Sequence, residues 1–461
     1  MTTFADLPLH VTRGDAEPMA AQIASQIRDA ISGGVLGGGE RMPSSRELAR
    51  LLGVSRTVVM GAYMQLFAEG WLEGRHGSGT YVAEGTHATA FATGSPAPQA
   101  PPQQRDEPLI ELAPGIPWAA GIDQGIWRRA LRYAGTQPPS AWPDPAGLPD
   151  LRAEVAAYMR RTRGLAASTA EVLITRGVAA GLALLVAGVV KPGDRVGVED
   201  PGYPSARLVL TRAGAIVVPC PVDSRGIIPG KLPDNLKLVY TTPAHQYPLG
   251  GRLPVARRQE LTAWARATGA LIVEDDYDSE FRYDVAPLPT MRGMDPDVVV
   301  YLGTTSKMLT PALGGGWLIG PPALVAELAG MRRELGDRVP EPVQHAVLSM
   351  LRTGDLERHV RKMRLEYARR RAAVVDGLEG CAGRLLGDTA GMHVVVELPD
   401  AATAERVRLA AERRRVVIGT LDRYFVGPAT RHGLMIGYGA TPLPKVREAV
   451  TVLRDALPAR E

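Results

Sequence analysis

Apolar residues recur at every fourth position over residues 18–31, where Met19, Ile23, Ile27 and Ile31 form one stripe, the pattern of a helix packed on a small core. The run that follows, PSSRELARLLGVSRTVVMGAYMQLFAEGWLEGRHGSGTYV, divides into two short helical patterns. Ser44 or Ser45 caps the first, which ends at Gly53, and Ser55 caps the second after a short GVS turn. That is helix-turn-helix spacing. In the second helix Val58, Val59, Ala62, Tyr63 and Leu66 share a face, which leaves Arg56, Thr57, Met60 and Met64 pointing outward. A face that opens on Arg and Thr suits a major groove. Trp71–Glu73 and Thr80–Val82 then read as two strands around the turn Gly74–Gly79, a wing.

From Ala83 to Pro108 the periodicity stops in a segment rich in Pro, Ala, Gln and Thr, the composition of a linker. Beyond it, strand patterns alternate with helical ones: EVLIT, RVGVED, AIVVPCP, LKLVYTTP, ALIVED and VVVYLG, starting at Glu171, Arg195, Ala215, Leu236, Ala270 and Val298. This alternation predicts an α/β domain with a mainly parallel sheet. From about Glu341 the pattern changes to one long charged helix, two short strands (HVVVEL and LMIGYG) and a closing helix, the outline of a smaller subdomain. The expected division is a DNA-binding domain over 1–83, a linker over 84–108, and a domain over 109–461 whose small part begins near 341.

Composition adds limits. With 461 residues and 45% hydrophobic content the chain supports two or three cores, yet no run is apolar enough to cross a bilayer. Met1–His10 shows no signal-peptide pattern, so a cytoplasmic protein is expected, nucleoid-associated when bound to DNA. Cys220 and Cys381 are far apart and lack metal-ligand spacing, which argues against a disulfide framework or a zinc site. The net charge is +4, but residues 1–85 hold seven Arg, no Lys and nine acids. Affinity for DNA must therefore come from local placement rather than overall charge.

The most informative chemistry lies in VVVYLGTTSKMLTPALGGGWLIGP, which delivers Lys307 from a strand end into a turn with Thr304 and Ser306. A lysine in such a setting forms a Schiff base with an aldehyde cofactor when its neutral form is reachable. Asp275 follows another strand directly, with Tyr277 two positions on. Pyridoxal phosphate (PLP) needs a carboxylate beside its pyridine nitrogen and benefits from a phenol at its ring oxygen. Gly177, Val178 and Ala179 stand where a strand turns into a helix, a natural phosphate site. Tyr203, in EDPGYPSAR, offers a ring to stack on the cofactor, and TTPAHQYPLGG again follows a strand, where open α/β sheets gather ligands.

The N-terminal run resembles the GntR-type winged-helix family in its LPSSRELA-like segment, its SRT helix start and its glycine-rich wing. This resemblance implies that Arg46 and Arg56 meet DNA near the two helix N-termini, with Ser55 and Thr57 beside them, while Arg75, His76 and Gly77 place the wing in the minor groove. Met60 stands where relatives carry a third Arg. The large domain, with EDPGY, HQYPLG, EDDYDSEF and GTTSK, is similar to fold-type I aminotransferases, and the whole chain resembles the MocR subfamily of GntR regulators. The resemblance implies PLP held by Lys307, Asp275 and Tyr277, with Tyr203 against the ring and His245 and Gln246 lining the same cavity. It also implies a homodimer that binds paired half-sites in double-stranded DNA and senses PLP or another small effector. A working aminotransferase and a PLP-free sensor are the alternatives.

Two departures narrow this expectation. Relatives carry a phosphate-binding Arg seven positions after the lysine, where this chain has Gly314, so Thr304, Ser306 and the amides of Gly177–Ala179 must hold the phosphate. The Arg that clamps a substrate carboxylate in relatives aligns with Met435; Arg431 and Arg423 are the nearby substitutes. The missing clamp favours a ligand without an α-carboxylate, or PLP itself, over amino-acid transamination.

Overall fold

The computed structural model describes residues 9–14, 17–75, 78–85, 109–387 and 390–458. It divides into two compact units, Met1–Asp106 and Glu107–Glu461. His76, Gly77 and residues 86–108 of the expected linker lie outside the described residues.

The first unit contains α1 (Met19–Ser32), α2 (Ser45–Leu52), α3 (Arg56–Ala68), β1 (Leu72–Arg75) and β2 (Gly79–Val82). Ile23, Ile27 and Ile31 of the α1 stripe are buried and pack with Leu48, Val59, Ala62, Leu66, Leu72 and Val82 into one core. Ser44 is the cap of α2, its hydroxyl accepting from the Glu47 N–H at 3.2 Å, and Gly53 ends the helix at φ +64°. Ser55 caps α3 through the Val58 N–H at 3.4 Å. The wing strands are longer than their apolar pattern predicts, pairing from Leu72↔Val82 to Arg75↔Gly79. The pairing extends through Gly74 because backbone hydrogen bonds, rather than buried side chains, carry the tip.

In chain order the second unit runs through β3 (Ile110–Glu111), α4 (Gln124–Gly135), α5 (Pro149–Arg163), β4 (Val172–Thr175), α6 (Val178–Val189), β5 (Arg195–Asp200) and α7 (Pro204–Arg212). Next come β6 (Ile216–Asp223), β7 (Gly226–Ile227), β8 (Leu238–Thr241), α8 (Val255–Thr268), β9 (Leu271–Asp276), β10 (Val299–Thr304) and β11 (Gly316–Ile319). The C-terminal part adds α9 (Pro322–Leu335), α10 (Glu341–Arg352), α11 (Asp355–Gly377), β12 (Arg384–Leu386), β13 (His393–Leu398) and α12 (Ala401–Arg413). It closes with β14 (Val416–Val417), β15 (Gly419–Thr420), β16 (His432–Gly437) and α13 (Leu443–Ala456).

The main sheet has the order β4-β11-β10-β9-β8-β5-β6-β7. From β10 to β6 the strands are parallel, while β11 runs antiparallel between β10 and β4. All six predicted strands belong to this sheet. Their continuous apolar runs reflect burial on both faces: Leu182, Leu185, Leu210 and Leu328 cover one side, and Val155, Tyr158, Met159 and Val347 the other. The antiparallel β11, hidden in the glycine-rich GGGWLIG run, is not apparent from the pattern.

Two expectations are corrected in the C-terminal part. The single long helix is two, α10 and α11, broken at Gly354, which takes φ +67°. The small sheet has four strands, β12-β13-β16-β15, because β12 and β15 are too short to show a period of two. In addition, β3 pairs in parallel with β14, so the residues that open the second unit are joined to its C-terminal part.

Candidate functional site

On the first unit, Arg46, Ser55, Arg56 and Thr57 are all exposed at the starts of α2 and α3. The Arg56 Nε donates to the Ser45 hydroxyl at 3.2 Å, which ties the two helix starts together. Met60 and Met64 follow on the same exposed side of α3. Arg75, at the end of β1, is engaged within the wing: its guanidinium bridges Glu73 at 2.9 Å and Glu84 at 2.7 Å and lies over the Tyr81 ring at 4.7 Å. Neither carboxylate was expected from the sequence: Glu73 stands two positions before Arg75 on the same strand, and Glu84, nine positions on, meets it through the hairpin.

In the second unit the C-terminal ends of β4, β5, β8, β9 and β10 converge on a cavity of about 490 Å³. Gly177, Val178 and Ala179 enter it from β4, Tyr203 from β5, Thr242 and Tyr247 from β8, Asp275 and Tyr277 from β9, and Thr304, Ser306 and Lys307 from β10. Side chains distant in sequence meet there because parallel strands present their carboxyl ends on one edge.

Lys307 is half-buried, and its Nζ donates to the Gly115 carbonyl at 2.5 Å. Burial lowers its pKa, against the opposing pull of Asp278 and Asp275, so the neutral amine is more accessible than in water. Gly115 has φ +80°, and a Cβ there would stand 3.1 Å from the lysine nitrogen. Asp275 is buried; its Oδ2 accepts from the Tyr240 hydroxyl, while its Oδ1 is buried with no partner. Burial raises the carboxyl to about 7. An unpaired carboxylate oxygen aimed from a strand end, next to a desolvated lysine, is the donor set that a protonated pyridine and an aldehyde require.

The phosphate end also fits. The N–H groups in the first turn of α6 have no intrahelical acceptors, and the Thr304 and Ser306 hydroxyls lie 2.9 Å apart beside Gly177. Gly314 ends a short 3-10 turn at φ +62°, with nothing within 4 Å of where its Cβ would be, and as a glycine supplies no guanidinium of its own. Arg176 lines the cavity next to Gly177 and pairs with Asp337 at 2.9 Å.

Several predicted residues are placed elsewhere. Gln246 does not line the cavity: its amide donates to Glu199 (3.3 Å) and to the carbonyls of Pro201 (2.9 Å) and Tyr247 (2.7 Å), because the buried Glu199 and the surrounding loop demand donors. His245 also lies behind the wall, with Nδ1 2.9 Å from the Tyr277 hydroxyl and 3.1 Å from both Asp278 oxygens. Met435 is fully buried in the small-sheet core with Leu421, Tyr424 and Phe425. Arg431 is held by Glu397 at 2.6 Å, whereas Arg423 does line the cavity. The lining residues missed from the sequence include Gly115, Arg176, Tyr247 and Tyr424. Arg176, adjoining the helix-start glycine, and Tyr247, within the TTPAHQYPLGG segment, carried a local signal.

Among the described residues no helix is long and apolar enough to cross a membrane, and no His, Cys, Asp and Glu cluster has the form of a metal site. Family comparison matches the bacterial gntR-family regulatory proteins over residues 19–82 and the class I and II aminotransferases over residues 125–426. The pyridoxine biosynthesis transcriptional regulator PdxR of Corynebacterium glutamicum is 36% identical over 98% of this chain and 99% of its own length. The probable rhizopine catabolism regulatory protein MocR of Rhizobium meliloti is 32% identical over 96% of this chain and 94% of its own. Among solved structures, an archaeal alanine:glyoxylate aminotransferase aligns with a TM-score of 0.71 at 25% identity, covering 75% of this chain and 90% of that one. The chain therefore belongs to the MocR/PdxR-type transcriptional regulators, in which a GntR helix-turn-helix domain is joined to an aminotransferase domain of the PLP-dependent fold.

Proposed function

We propose that this regulator binds PLP at Lys307 and that occupancy of this site, by PLP itself or by PLP with a further small molecule, sets its activity on DNA. The observation that carries this reading is the buried, unpartnered Asp275 Oδ1 beside the desolvated Lys307 amine. When bound, the cofactor supplies an aldehyde that condenses with the amine, releasing water, and a ring whose protonated nitrogen needs a carboxylate. Asp275 would hold that nitrogen, Tyr277 the ring oxygen, Tyr203 the ring face, and Gly177–Ala179 with Thr304 and Ser306 the phosphate. A phosphate held by amides and hydroxyls, without an Arg at position 314, is held less tightly than by a bidentate guanidinium. Reversible occupancy is what a sensor of the cofactor requires, and the pyridoxine biosynthesis role named for the Corynebacterium relative supports the same signal.

On DNA, Arg46, Ser55, Arg56 and Thr57 would meet the major groove, with Arg75, His76 and Gly77 reaching the minor groove. Two copies joined through the aminotransferase domain would read paired half-sites. The test is a gel shift on the promoter of its own gene, with and without PLP, for the wild type and Lys307→Ala. The expected result is a PLP-dependent change in the wild type alone. Equal binding to a scrambled duplex, or an unchanged PLP response in Lys307→Ala, would sink the proposal. A second reading, a working aminotransferase, is favoured by the complete Lys307, Asp275 and Tyr277 set. Rapid conversion of bound cofactor to its amine form with one amino acid of a panel would support it.

A further inference from the structure

We propose that His245 and Asp278 are positioning residues that fix the direction of the Tyr277 hydroxyl proton, and through it the protonation of the cofactor linkage at Lys307; this rests on the PLP reading above. The His245 imidazole sits behind the cavity wall, and its Nδ1 meets two groups at once: the Tyr277 oxygen at 2.9 Å and the Asp278 carboxylate, both of whose oxygens lie at 3.1 Å. Its Nε2 is buried with no partner. A proton on Nε2 would be a buried donor without an acceptor, and a bare Nδ1 would face a carboxylate lone pair to lone pair. The proton therefore resides on Nδ1, shared between Asp278 and the Tyr277 oxygen.

A phenol oxygen that receives this proton keeps its own O–H free to point the other way. Tyr277 lines the cavity, so that way is toward the ligand. If the imidazole were absent, the phenol would be free to donate backward to Asp278. The other titratable groups facing His245 do not compete for Nδ1. The His393 ring, on β13, is centred 5.6 Å away and its Nε2 is engaged with the Pro248 carbonyl at 3.0 Å, while the Tyr247 hydroxyl is bonded to Tyr424 and Lys307 to Gly115. Close packing fixes the pair in place. A Cβ on Gly391 would come 2.4 Å from His245 Cε1 and 2.5 Å from Asp278 Oδ2, and one on Gly250 would come 3.3 Å from His245 Nε2.

A phenol donating to the cofactor's ring oxygen stabilises negative charge there, most when the Lys307 nitrogen has lost its proton. Loss of this donor therefore moves the titration of the linkage upward. The experiment is a pH titration of the visible absorbance of full-length protein incubated with PLP, for the wild type, Tyr277→Phe, His245→Leu, His245→Asn and the Tyr277→Phe/His245→Leu double variant. We expect Tyr277→Phe and His245→Leu each to raise the midpoint by about one unit, the scale of one charge-assisted hydrogen bond. The double variant should go no further, and His245→Asn, whose amide restores a donor, should return toward the wild type. A wild type with no visible band overturns the PLP reading and this inference together. A wild-type band with His245→Leu and His245→Asn both titrating like the wild type, with Tyr277→Phe unshifted, or with additive single shifts, overturns this inference alone.

Discussion

The Tyr240 hydroxyl occupies one oxygen of the Asp275 carboxylate and leaves the other buried and bare. Tyr240 lies in β8, which runs beside the β9 strand carrying Asp275, so the pair is fixed by the sheet. The carboxylate is thereby pre-aimed at the cavity, at a cost in stability when the cavity holds no partner for it.

That cost depends on pH. Burial raises Asp275 to about 7 in the folded protein, against about 3.9 in an unfolded chain. A raised folded-state value means the folded state binds more protons across this interval, so the contribution to stability is full below about pH 4 and is lost as pH rises to about 7, a loss on the order of 4 kcal/mol. Cofactor-free Asp275→Asn should therefore melt higher than the wild type at about pH 8, with the gap narrowing toward pH 5, while its PLP affinity falls at least about tenfold. Thermal denaturation and a PLP titration measure both; unchanged affinity would remove Asp275 from the site.

The wing makes a different prediction. Because Glu73 and Glu84 both hold Arg75, DNA binding through the wing has to compete with them. Glu84→Gln should tighten binding to the promoter duplex by a few-fold and steepen its salt dependence, whereas Arg75→Ala should weaken binding and lower the salt slope by about one. Fluorescence anisotropy across a salt series reads both slopes, and identical slopes for wild type and Arg75→Ala would exclude a phosphate contact.

Ser55 tests the separation of fold from recognition. Its hydroxyl caps α3, so Ser55→Ala should cost about 1 kcal/mol of stability in the first unit. Arg56→Ala, at an exposed position, should shift the melting temperature by no more than about 2–4 °C, since surface changes stay within roughly 0.5 kcal/mol, yet reduce DNA affinity about tenfold. A destabilised Arg56→Ala with normal affinity would reverse these roles.

Gly391 joins the small sheet to the site. Its N–H donates to the Phe281 carbonyl at 2.7 Å, and its own carbonyl accepts from Tyr283 at 2.6 Å and Tyr438 at 2.9 Å. With φ +79° and His245 and Asp278 directly in the path of a Cβ, Gly391→Ala should destabilise the second unit by about 2–4 kcal/mol. Denaturant unfolding gives the value; an unchanged midpoint would show that the segment can move aside.

Local patterns determined a good deal. The α1 stripe, the Ser44 and Ser55 caps, the Gly53 stop, and six strands with Lys307, Tyr277, Tyr203 and Gly177 just past strand ends were all legible, because period, capping and strand termination are set by neighbours a few residues away, whereas Asp275, expected just after its strand, is the penultimate residue of β9. What tertiary structure alone decided is the direction of the polar side chains. Gln246 turns to Glu199 instead of the cavity, Met435 enters a core, Arg75 finds Glu84, and Lys307 meets the carbonyl of Gly115, 192 residues away. The break at Gly354 and the antiparallel β11 belong with these. A buried donor or acceptor takes whichever partner the whole fold brings within about 3 Å, and that partner comes from segments far apart in sequence.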